Sequence, residues 1–256
     1  MRLRQIAIIA RFTLLEATRT RLFWLFGGVL ALIFGLALFV EQLAIIEGER
    51  LLTVFSASAT RFAAVFVVCL HVLSSVVREF NDKGLELTLS FDLRRSDYVL
   101  GRLLGFSAVA LPVAALAMLP QLLLAPAAAL QWGTSLALEL SIMAALALFC
   151  IITFTQLMPA AAFVCAFYLL ARALAALRLM AATPVGGEDA LSHQVVTWLI
   201  ETIARVMPAL DGFATAGWLA DGAPGWATVG GNAVQAAVYV ALLGAAAMFD
   251  FHRRNL

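Results

Sequence analysis

Residues 78–105 read REFNDKGLELTLSFDLRRSDYVLGRLLG and form the longest strongly polar interval between two apolar blocks. Sixteen residues without Asp, Glu, Lys or Arg precede it at 62–77, and thirty-six such residues run from 103 to 138. A charged segment between two blocks of membrane-spanning length must lie in water at one face of a bilayer, because burying its charges in hydrocarbon is costly. The interval is also long enough for a short helix, which makes it a candidate contact surface for another protein.

The composition indicates a membrane protein. The 256 residues are 63% hydrophobic and only 13% charged, with a mean hydropathy of +0.97, whereas soluble domains carry about 25% charge. The apolar blocks predict an all-α polytopic fold with six transmembrane helices, all within one transmembrane domain that covers residues 1–256. The predicted spans are 22–40, 55–77, 103–125, 136–157, 160–176 and 232–249.

Two sequence features are predicted to separate spans. Gln131, Trp132 and Gly133 are expected to form a short turn with an interfacial tryptophan between the third and fourth spans. Pro159 is expected to end the fourth span, because proline interrupts the hydrogen bonds of a helix interior.

The segments outside the spans have patterns of their own. Residues 1–21 carry five arginines among apolar residues at helical spacing, which predicts an amphipathic helix lying in the headgroup plane. The alternative is a solvated basic tail. Residues 177–231 are predicted to form short helices at the outer face. Glu201 and Arg205 share one helix face there, and Trp218 and Trp226 favour contact with an interface.

The basic residues predict the orientation. With alternating spans and an inside N-terminus, twelve of the seventeen lysines and arginines fall inside and five outside. Such an excess favours a cytoplasmic location for the N- and C-termini. The five assigned to the outside are Arg50, Arg61, Arg172, Arg178 and Arg205.

The chain has no motif for ATP binding or for hydrolysis. Its one lysine, Lys83, does not follow a glycine, whereas a Walker A loop needs Gly-Lys-Ser/Thr to hold phosphates. HExxH and GxSxG are also absent, so we interpret the chain as a non-enzyme and name no catalytic residue. Cys69, Cys150 and Cys165 lie in apolar segments without metal-ligand spacing, so we expect no metal site. A net charge of +1 gives no reason to expect a nucleic-acid partner.

Two ionisable residues are candidates for an intramembrane path. His71 lies well inside the second predicted span, and ionisable residues within spans are functional candidates. The alternative is a neutral histidine bonded to a carbonyl oxygen. Glu139 lies at the start of the fourth predicted span, near the outer face. It either lines a path or marks the span boundary.

The polar interval resembles the signature of ABC-2 type transporter permeases, which are membrane subunits of many export-type ABC systems. The resemblance rests on Glu79, Gly84, Leu89-Ser90, Arg95 and Gly101-Arg102-Leu103-Leu104-Gly105. It covers about a tenth of the chain. The sequence departs from the family pattern at Asp92, where the family has proline, and at Arg102, where it has lysine with the same charge.

The resemblance implies a permease subunit in a cell inner membrane that exports a substrate. It also implies a homodimer or heterodimer of permeases surrounded by membrane lipids. Two cytosolic ABC ATPase subunits would drive it, and ATP and Mg would bind to those subunits, since this chain holds no cofactor of its own.

Residues 78–102 are then expected to be the cytosolic coupling segment, containing a coupling helix that contacts the ATPase. Helical spacing places four charged residues on one outward face, and the motif adds Gly84 and Arg95. The charged four are Glu79, Asp82, Lys83 and Glu86. The alternative is a solvated loop, which would explain the charges but not the spacing of the motif.

Two other functions remain open. A membrane subunit of the same architecture could transmit ATP-driven motion to an extracytoplasmic partner without moving a substrate. A stand-alone six-span channel or an intramembrane enzyme would instead need ionisable residues that face each other within the spans. In the sequence only His71 is well placed for that.

Overall fold

The computed structural model describes residues 2–43, 47–81, 95–182 and 191–253. Within these residues the chain forms nine α-helices, one short 3-10 helix and no strand. In chain order they are α1 (Arg2–Arg19), α2 (Leu22–Leu43), α3 (Gly48–Asn81), α4 (Arg95–Leu124), α5 (Pro126–Phe154), α6 (Leu157–Ala182), α7 (Leu191–Val206), the 3-10 helix (Leu210–Gly212), α8 (Gly217–Ala220) and α9 (Trp226–Arg253).

Six of these helices are long and apolar enough to cross a membrane, namely α2, α3, α4, α5, α6 and α9. The predicted all-α polytopic fold is confirmed, and the chain is a multi-pass membrane protein. The end of α3, the start of α4 and the end of α9 lie at the same end of the bundle as α1. Arg102 near the start of α4 pairs with Glu16 of α1 and Glu79 of α3, and Tyr98 of α4 stacks on Phe251 of α9. We call this end the N-terminal face and the other end the opposite face.

Helix α5 is the centre of the bundle. It contacts α3, α4, α6 and α9, and its buried side chains extend from Ala128 to Ile152. The sequence explains this position, because α5 is apolar around its whole circumference and such a helix is stable only when it is covered on all sides. Helix α2 is the opposite case. It exposes large apolar side chains such as Trp24 and Phe39, which suits a surface in contact with lipid.

Two predicted helix boundaries are wrong. Trp132 and its neighbours do not form a turn, since they lie within α5 and Trp132 is fully buried. The break lies at Pro126, which is tolerated at the first helical position because its missing N–H has no helical partner there. Pro159 lies in the first turn of α6 for the same reason. Helix α5 already ends at Phe154, followed by Thr155 in the left-handed conformation with a φ of 58°.

Two glycines of α4, Gly101 and Gly105, let α1 pack closely against α4, and we call this contact the glycine seat. A Cβ atom on Gly101 would lie 2.7 Å from the Cβ of Ile9, and one on Gly105 would lie 2.6 Å from the Cβ of Thr13. Both distances are too short for real side chains. Glycine therefore lets the two helix backbones approach closely, as small residues do at helix contacts in membranes. The Gly-x-x-x-Gly part of the sequence motif thus has a packing role within this chain.

The other side of α1 combines arginine with large apolar residues. Ile8, Phe12 and Leu15 are exposed, and Arg4 and Arg11 are exposed as well. A face of this composition fits a headgroup layer, with the apolar side chains toward the lipid tails and the guanidinium groups in the polar zone. This arrangement agrees with the predicted interfacial helix.

The connection between α6 and α9 contains the short helices that the sequence predicted, α7, the 3-10 helix and α8. The predicted Glu201–Arg205 pair is present on α7 at 3.8 Å, with both side chains exposed. Of the predicted coupling segment 78–102, residues 78–81 belong to α3 and residues 95–102 to α4. Residues 82–94, where the rest of the predicted coupling helix falls, lie outside the described residues.

We predict that Gly101→Ala/Gly105→Ala displaces α1 from α4. The added methyl groups overlap Ile9 and Thr13, and overpacking of this kind costs about 1–3 kcal/mol. Thermal unfolding of the purified protein in detergent should show a lower midpoint.

Gly28→Ala/Gly35→Ala is the matched control, because no atom lies within 4 Å of a Cβ at either position. It should leave the midpoint unchanged or raise it slightly, since alanine is the better helix former. Equal unfolding midpoints for the two double variants would show that the close approach of α1 to α4 does not depend on Gly101 and Gly105.

Candidate functional site

Arg102 is a buried cation at the N-terminal face. It lies two turns into α4 and is only 3% exposed. Its guanidinium donates hydrogen bonds to Oε2 of Glu16 at 3.0 Å and to Oγ1 of Thr13 at 3.2 Å. It also forms an ion pair with Glu79. One arginine on α4 therefore binds a carboxylate on α1 and another on α3.

Neighbouring hydroxyl groups complete this cluster. Tyr98 Oη donates to Oε2 of Glu79 at 2.8 Å, and Ser75 Oγ donates to Oε1 of Glu16 at 2.7 Å. Helical spacing explains the convergence, because Ser75 and Glu79 are one turn apart on α3 and Tyr98 and Arg102 are one turn apart on α4. We call Thr13, Glu16, Ser75, Glu79, Tyr98 and Arg102 the arginine cluster.

The arginine cluster joins helices in a way that a surface ion pair does not. The guanidinium is planar and presents several fixed donors, so it can bind two carboxylates and a hydroxyl at once. Removal of one partner from a buried pair typically costs about 3–5 kcal/mol, because the other charge is left uncompensated. The cluster therefore holds α1, α3 and α4 together at the N-terminal face.

Glu79 does not lie on an outward charged face, so that part of the sequence interpretation needs correction. Its side chain is only 17% exposed and is bound to Arg102 and Tyr98, because α3 continues to Asn81 and carries Glu79 toward α4. Arg95 is the first residue of α4, and its side chain is not described. The other predicted coupling residues, Asp82, Lys83, Gly84 and Glu86, lie outside the described residues.

Glu16 is the titratable group of the cluster that lies outside the membrane-spanning helices. Burial alone would raise the pKa of Glu16, but the hydrogen bond from Ser75 and the charge of Arg102 outweigh burial and lower it. A lowered pKa means that the charged form stabilises the fold. This stabilisation is complete above the ordinary pKa of about 4.5 and is lost as the pH falls through the lowered pKa of the folded state.

His71 lies close to the arginine cluster. It is 5% exposed, its ring is edge-on to Phe106 with centroids 6.1 Å apart, and its Nε2 has no hydrogen-bond partner among the described residues. The alternative predicted from the sequence, a neutral histidine bonded to a carbonyl oxygen, therefore does not hold for Nε2 of His71. His71 also lines a cavity between α2 and α3.

A second polar cluster lies deeper in the bundle. Glu139 on α5 is 0% exposed, Arg61 on α3 is 4% exposed and Tyr168 on α6 is 5% exposed. Arg61 and Tyr168 lie close enough for their charge and hydroxyl to act on the Glu139 carboxylate. Both carboxylate oxygens nevertheless lack a hydrogen bond of ordinary geometry among the described residues. An intramembrane ionisable residue in such surroundings is a functional candidate.

The loop around Ala214, which comes from the opposite face, is held between the helices by hydrogen bonds, and we call it the clamped loop. The carbonyl oxygen of Ala214 accepts hydrogen bonds from Arg61 at 2.9 Å and from Trp132 Nε1 at 2.8 Å. The amide of Ala214 donates to Ser135 Oγ at 3.1 Å, and Asn232 donates to the same oxygen at 3.1 Å. Ala214 has a positive φ of 40°, so the surrounding contacts hold it in a conformation that alanine rarely adopts.

Glu139 lies deeper than the sequence indicated. Because α5 begins at Pro126 rather than near position 136, Glu139 is about 20 Å along the helix and not at its start. Arg61 and His71 are ten residues apart on α3, which is about 15 Å along the axis. The structure therefore places the two predicted path residues, His71 and Glu139, in separate clusters.

Sequence reasoning missed most members of both clusters. Glu16 could have been found, because it is the one acidic residue among five arginines in the first 21 positions. Arg61 was assigned to the outside, although a cation within the second span should have suggested a partner in another span. Ser75, Tyr98 and Ala214 carry no such signal, because their partners come from distant parts of the chain.

No protein-family model and no curated protein matches the chain. Among the described residues no group of three or more His, Cys, Asp or Glu side chains could hold a metal ion.

We predict that Arg61→Met releases the clamped loop. Loss of the guanidinium leaves the Ala214 carbonyl with one donor fewer and Glu139 without its cation. In a background without Cys69, Cys150 and Cys165, a cysteine at the fully buried Ala214 position should react slowly with a water-soluble thiol reagent. Adding Arg61→Met should raise the labelling rate at least about tenfold, because hydrogen bonds to charged groups contribute about 1.5–3 kcal/mol.

Arg50→Met is the matched control, because Arg50 binds Asp221 at the same face through an exposed ion pair of 3.0 Å. Exposed pairs contribute only about 0–1 kcal/mol, so this variant should label slowly. Fast labelling with Arg61 intact, or equal labelling in both variants, would show that Arg61 does not hold the loop.

Proposed function

We propose that the chain is the permease subunit of an ATP-driven ABC transporter of the ABC-2 type, which exports a substrate across the inner membrane. In this proposal both termini are cytoplasmic, so that the N-terminal face is the cytoplasmic face. The ATPase activity, with its ATP and Mg, belongs to separate cytosolic subunits, and a second permease copy completes the complex.

The observation that carries the proposal is the position of the arginine cluster. Residues 82–94 are bounded by the end of α3 and the start of α4, and the cluster joins these two helices immediately beside that connection. It also includes α1 through Glu16. A partner that displaced residues 82–94 would therefore move three helices together.

The packing around the cluster suits the transmission of force. The glycine seat brings α1 against α4, and close-packed elements move as bodies because their interfaces do not deform continuously. A merely solvated loop would need neither a buried cation at its base nor a close helix contact beside it. The resemblance of residues 79–105 to the ABC-2 signature supplies the expected partner, an ATPase.

A second candidate function is transmission of ATP-driven motion to an extracytoplasmic partner without transport. The clamped loop favours it, because Arg61 of α3, Ser135 of α5 and Asn232 of α9 all hold the connection at the opposite face. Movement of α3 would then reach that surface directly. A stand-alone channel receives partial support from Arg61 and Glu139, which lie near each other within spans, but both are enclosed.

The proposal is tested by purifying the tagged chain from its own host membranes with its bound partners. We expect a Walker A-containing ATPase to co-purify and the complex to hydrolyse ATP in liposomes, whereas the chain alone should not. A substrate that stimulates hydrolysis would favour transport over transmission. Failure to recover an ATPase, together with ion flux through the chain alone, would overturn the proposal in favour of a channel.

Two variants connect this activity to the coupling segment. Glu86→Lys reverses a charge in the expected contact and leaves the residues of the arginine cluster themselves unchanged. It should lower ATPase recovery at least about fivefold, since opposed like charges at a contact cost several kcal/mol. Glu201→Lys is the control, because Glu201 is an exposed acid at the opposite face. Equal ATPase recovery in both variants would exclude Glu86 from the contact.

A further inference from the structure

A cavity of about 660 Å³ opens between α2 and α3 in the half of the bundle near the N-terminal face. Its lining is divided by depth. Thr20, Ser74 and Arg78 line the part near the face, whereas Val29 and Val67 line the deeper part. Eleven residues separate Arg78 from Val67 on α3, which corresponds to about 16 Å along the helix. This length is close to half of the ~30 Å hydrocarbon core of a bilayer.

The polar end of the cavity offers a cation. The Arg78 side chain is 56% exposed, and its nearest carboxylate oxygen, on Glu16, is 4.0 Å away. Glu16 is already bound by Arg102 and Ser75, so it neutralises Arg78 only weakly. Arginine binds phosphate oxygens through charge-assisted hydrogen bonds. Arg78 Nε donates to the Ser74 carbonyl oxygen at 3.3 Å, and Nη2 lies 4.0 Å from Glu16. An anion at this end could therefore still accept a hydrogen bond from the terminal nitrogens of the guanidinium.

A second, independent feature of the lining indicates a ligand. His71 is 5% exposed and borders the cavity, and its Nε2 has no hydrogen-bond partner among the described residues. A buried polar atom without a partner is costly unless a ligand or water satisfies it. The hydroxyl of Ser74 donates to the His71 carbonyl at 3.2 Å and retains lone pairs that can accept from a ligand.

The deep end of the cavity is apolar. Leu25 and Val29 of α2 face Val67 and Leu70 of α3 across it. A water-soluble anion would gain nothing from this surface, whereas an acyl chain would fill the space and pack against its apolar side chains through van der Waals contacts. A cavity with one cationic end and one apolar end matches the shape and polarity of an amphiphile whose long axis is parallel to the helices.

We propose that this cavity binds one anionic phospholipid from the leaflet on the side of the N-terminus, with its phosphate at Arg78 and an acyl chain between α2 and α3. The lipid fills the space between a peripheral helix and the core of the bundle. The proposal is independent of coupling to an ATPase, because it depends only on the cavity and its lining.

The test uses the full chain, purified in mild detergent, delipidated and titrated with phosphatidylglycerol or phosphatidylcholine, with binding followed by native mass spectrometry. Phosphatidylglycerol should bind more tightly. Arg78→Gln should weaken its binding about fivefold, the effect expected for one arginine near an anionic headgroup, and should abolish the preference over phosphatidylcholine. Arg78→Lys keeps the charge and should retain the preference. Val29→Phe, which narrows the apolar end, should weaken both lipids.

Arg11→Gln is the matched control, since it removes the same charge from an exposed position at the N-terminal face outside the cavity. It should leave binding of phosphatidylglycerol within about twofold of wild type, because an exposed charge that does not line the cavity is largely screened by salt. Equal weakening by Arg78→Gln and Arg11→Gln would overturn the proposal in favour of general attraction to a basic surface. Equal affinity of wild type for the two lipids would overturn it as well.

Discussion

The buried charge of Arg102 is the constraint on which the N-terminal face depends. A guanidinium that is 3% exposed must be paired, and its partners come from two other helices, Glu16 of α1 and Glu79 of α3. Glu16 can reach Arg102 because Gly101 and Gly105 let α1 approach α4 closely. The glycines and the arginine of one short motif therefore act together. Gly101 and Gly105 allow α1 to approach α4, and the buried charge of Arg102 requires that approach because Glu16 of α1 is one of its partners.

A comparable arrangement stabilises the other half of the bundle. There Arg61 holds the carbonyl of Ala214 and lies near Glu139, so that a loop, α3 and α5 share one buried cation. Helix α3 takes part in both clusters and is the one helix that connects them. Between the two clusters the packing is apolar and centred on α5. Displacement of α3 at one face would consequently be felt at the other, which is the property that either transport or transmission of motion requires.

Much of the fold could be predicted from the sequence, because a membrane imposes a length and a hydropathy that are visible in one chain. The six spans, the amphipathic α1 and the Glu201–Arg205 pair all follow from local patterns. Trp132 was misplaced because an aromatic residue near a break suits an interface and a core equally well. The pairing of Glu16, Glu79 and Arg102 could not be derived, since it depends on which helices become neighbours. Glu79 appeared to belong to an exposed face for that reason.

The central claim is that Arg102 and Glu79 stabilise the protein together rather than separately. A double-mutant cycle with Arg102→Met and Glu79→Gln, measured by unfolding in detergent, tests this claim directly. We predict a coupling energy of about 1–3 kcal/mol, because Arg102→Met leaves the Glu79 carboxylate without its cation, whereas Glu79→Gln leaves Arg102 with Glu16 as its remaining carboxylate partner. The exposed pair Glu201–Arg205 should give less than about 0.5 kcal/mol in the same cycle. Additive effects of Arg102→Met and Glu79→Gln, within about 0.5 kcal/mol, would contradict the account.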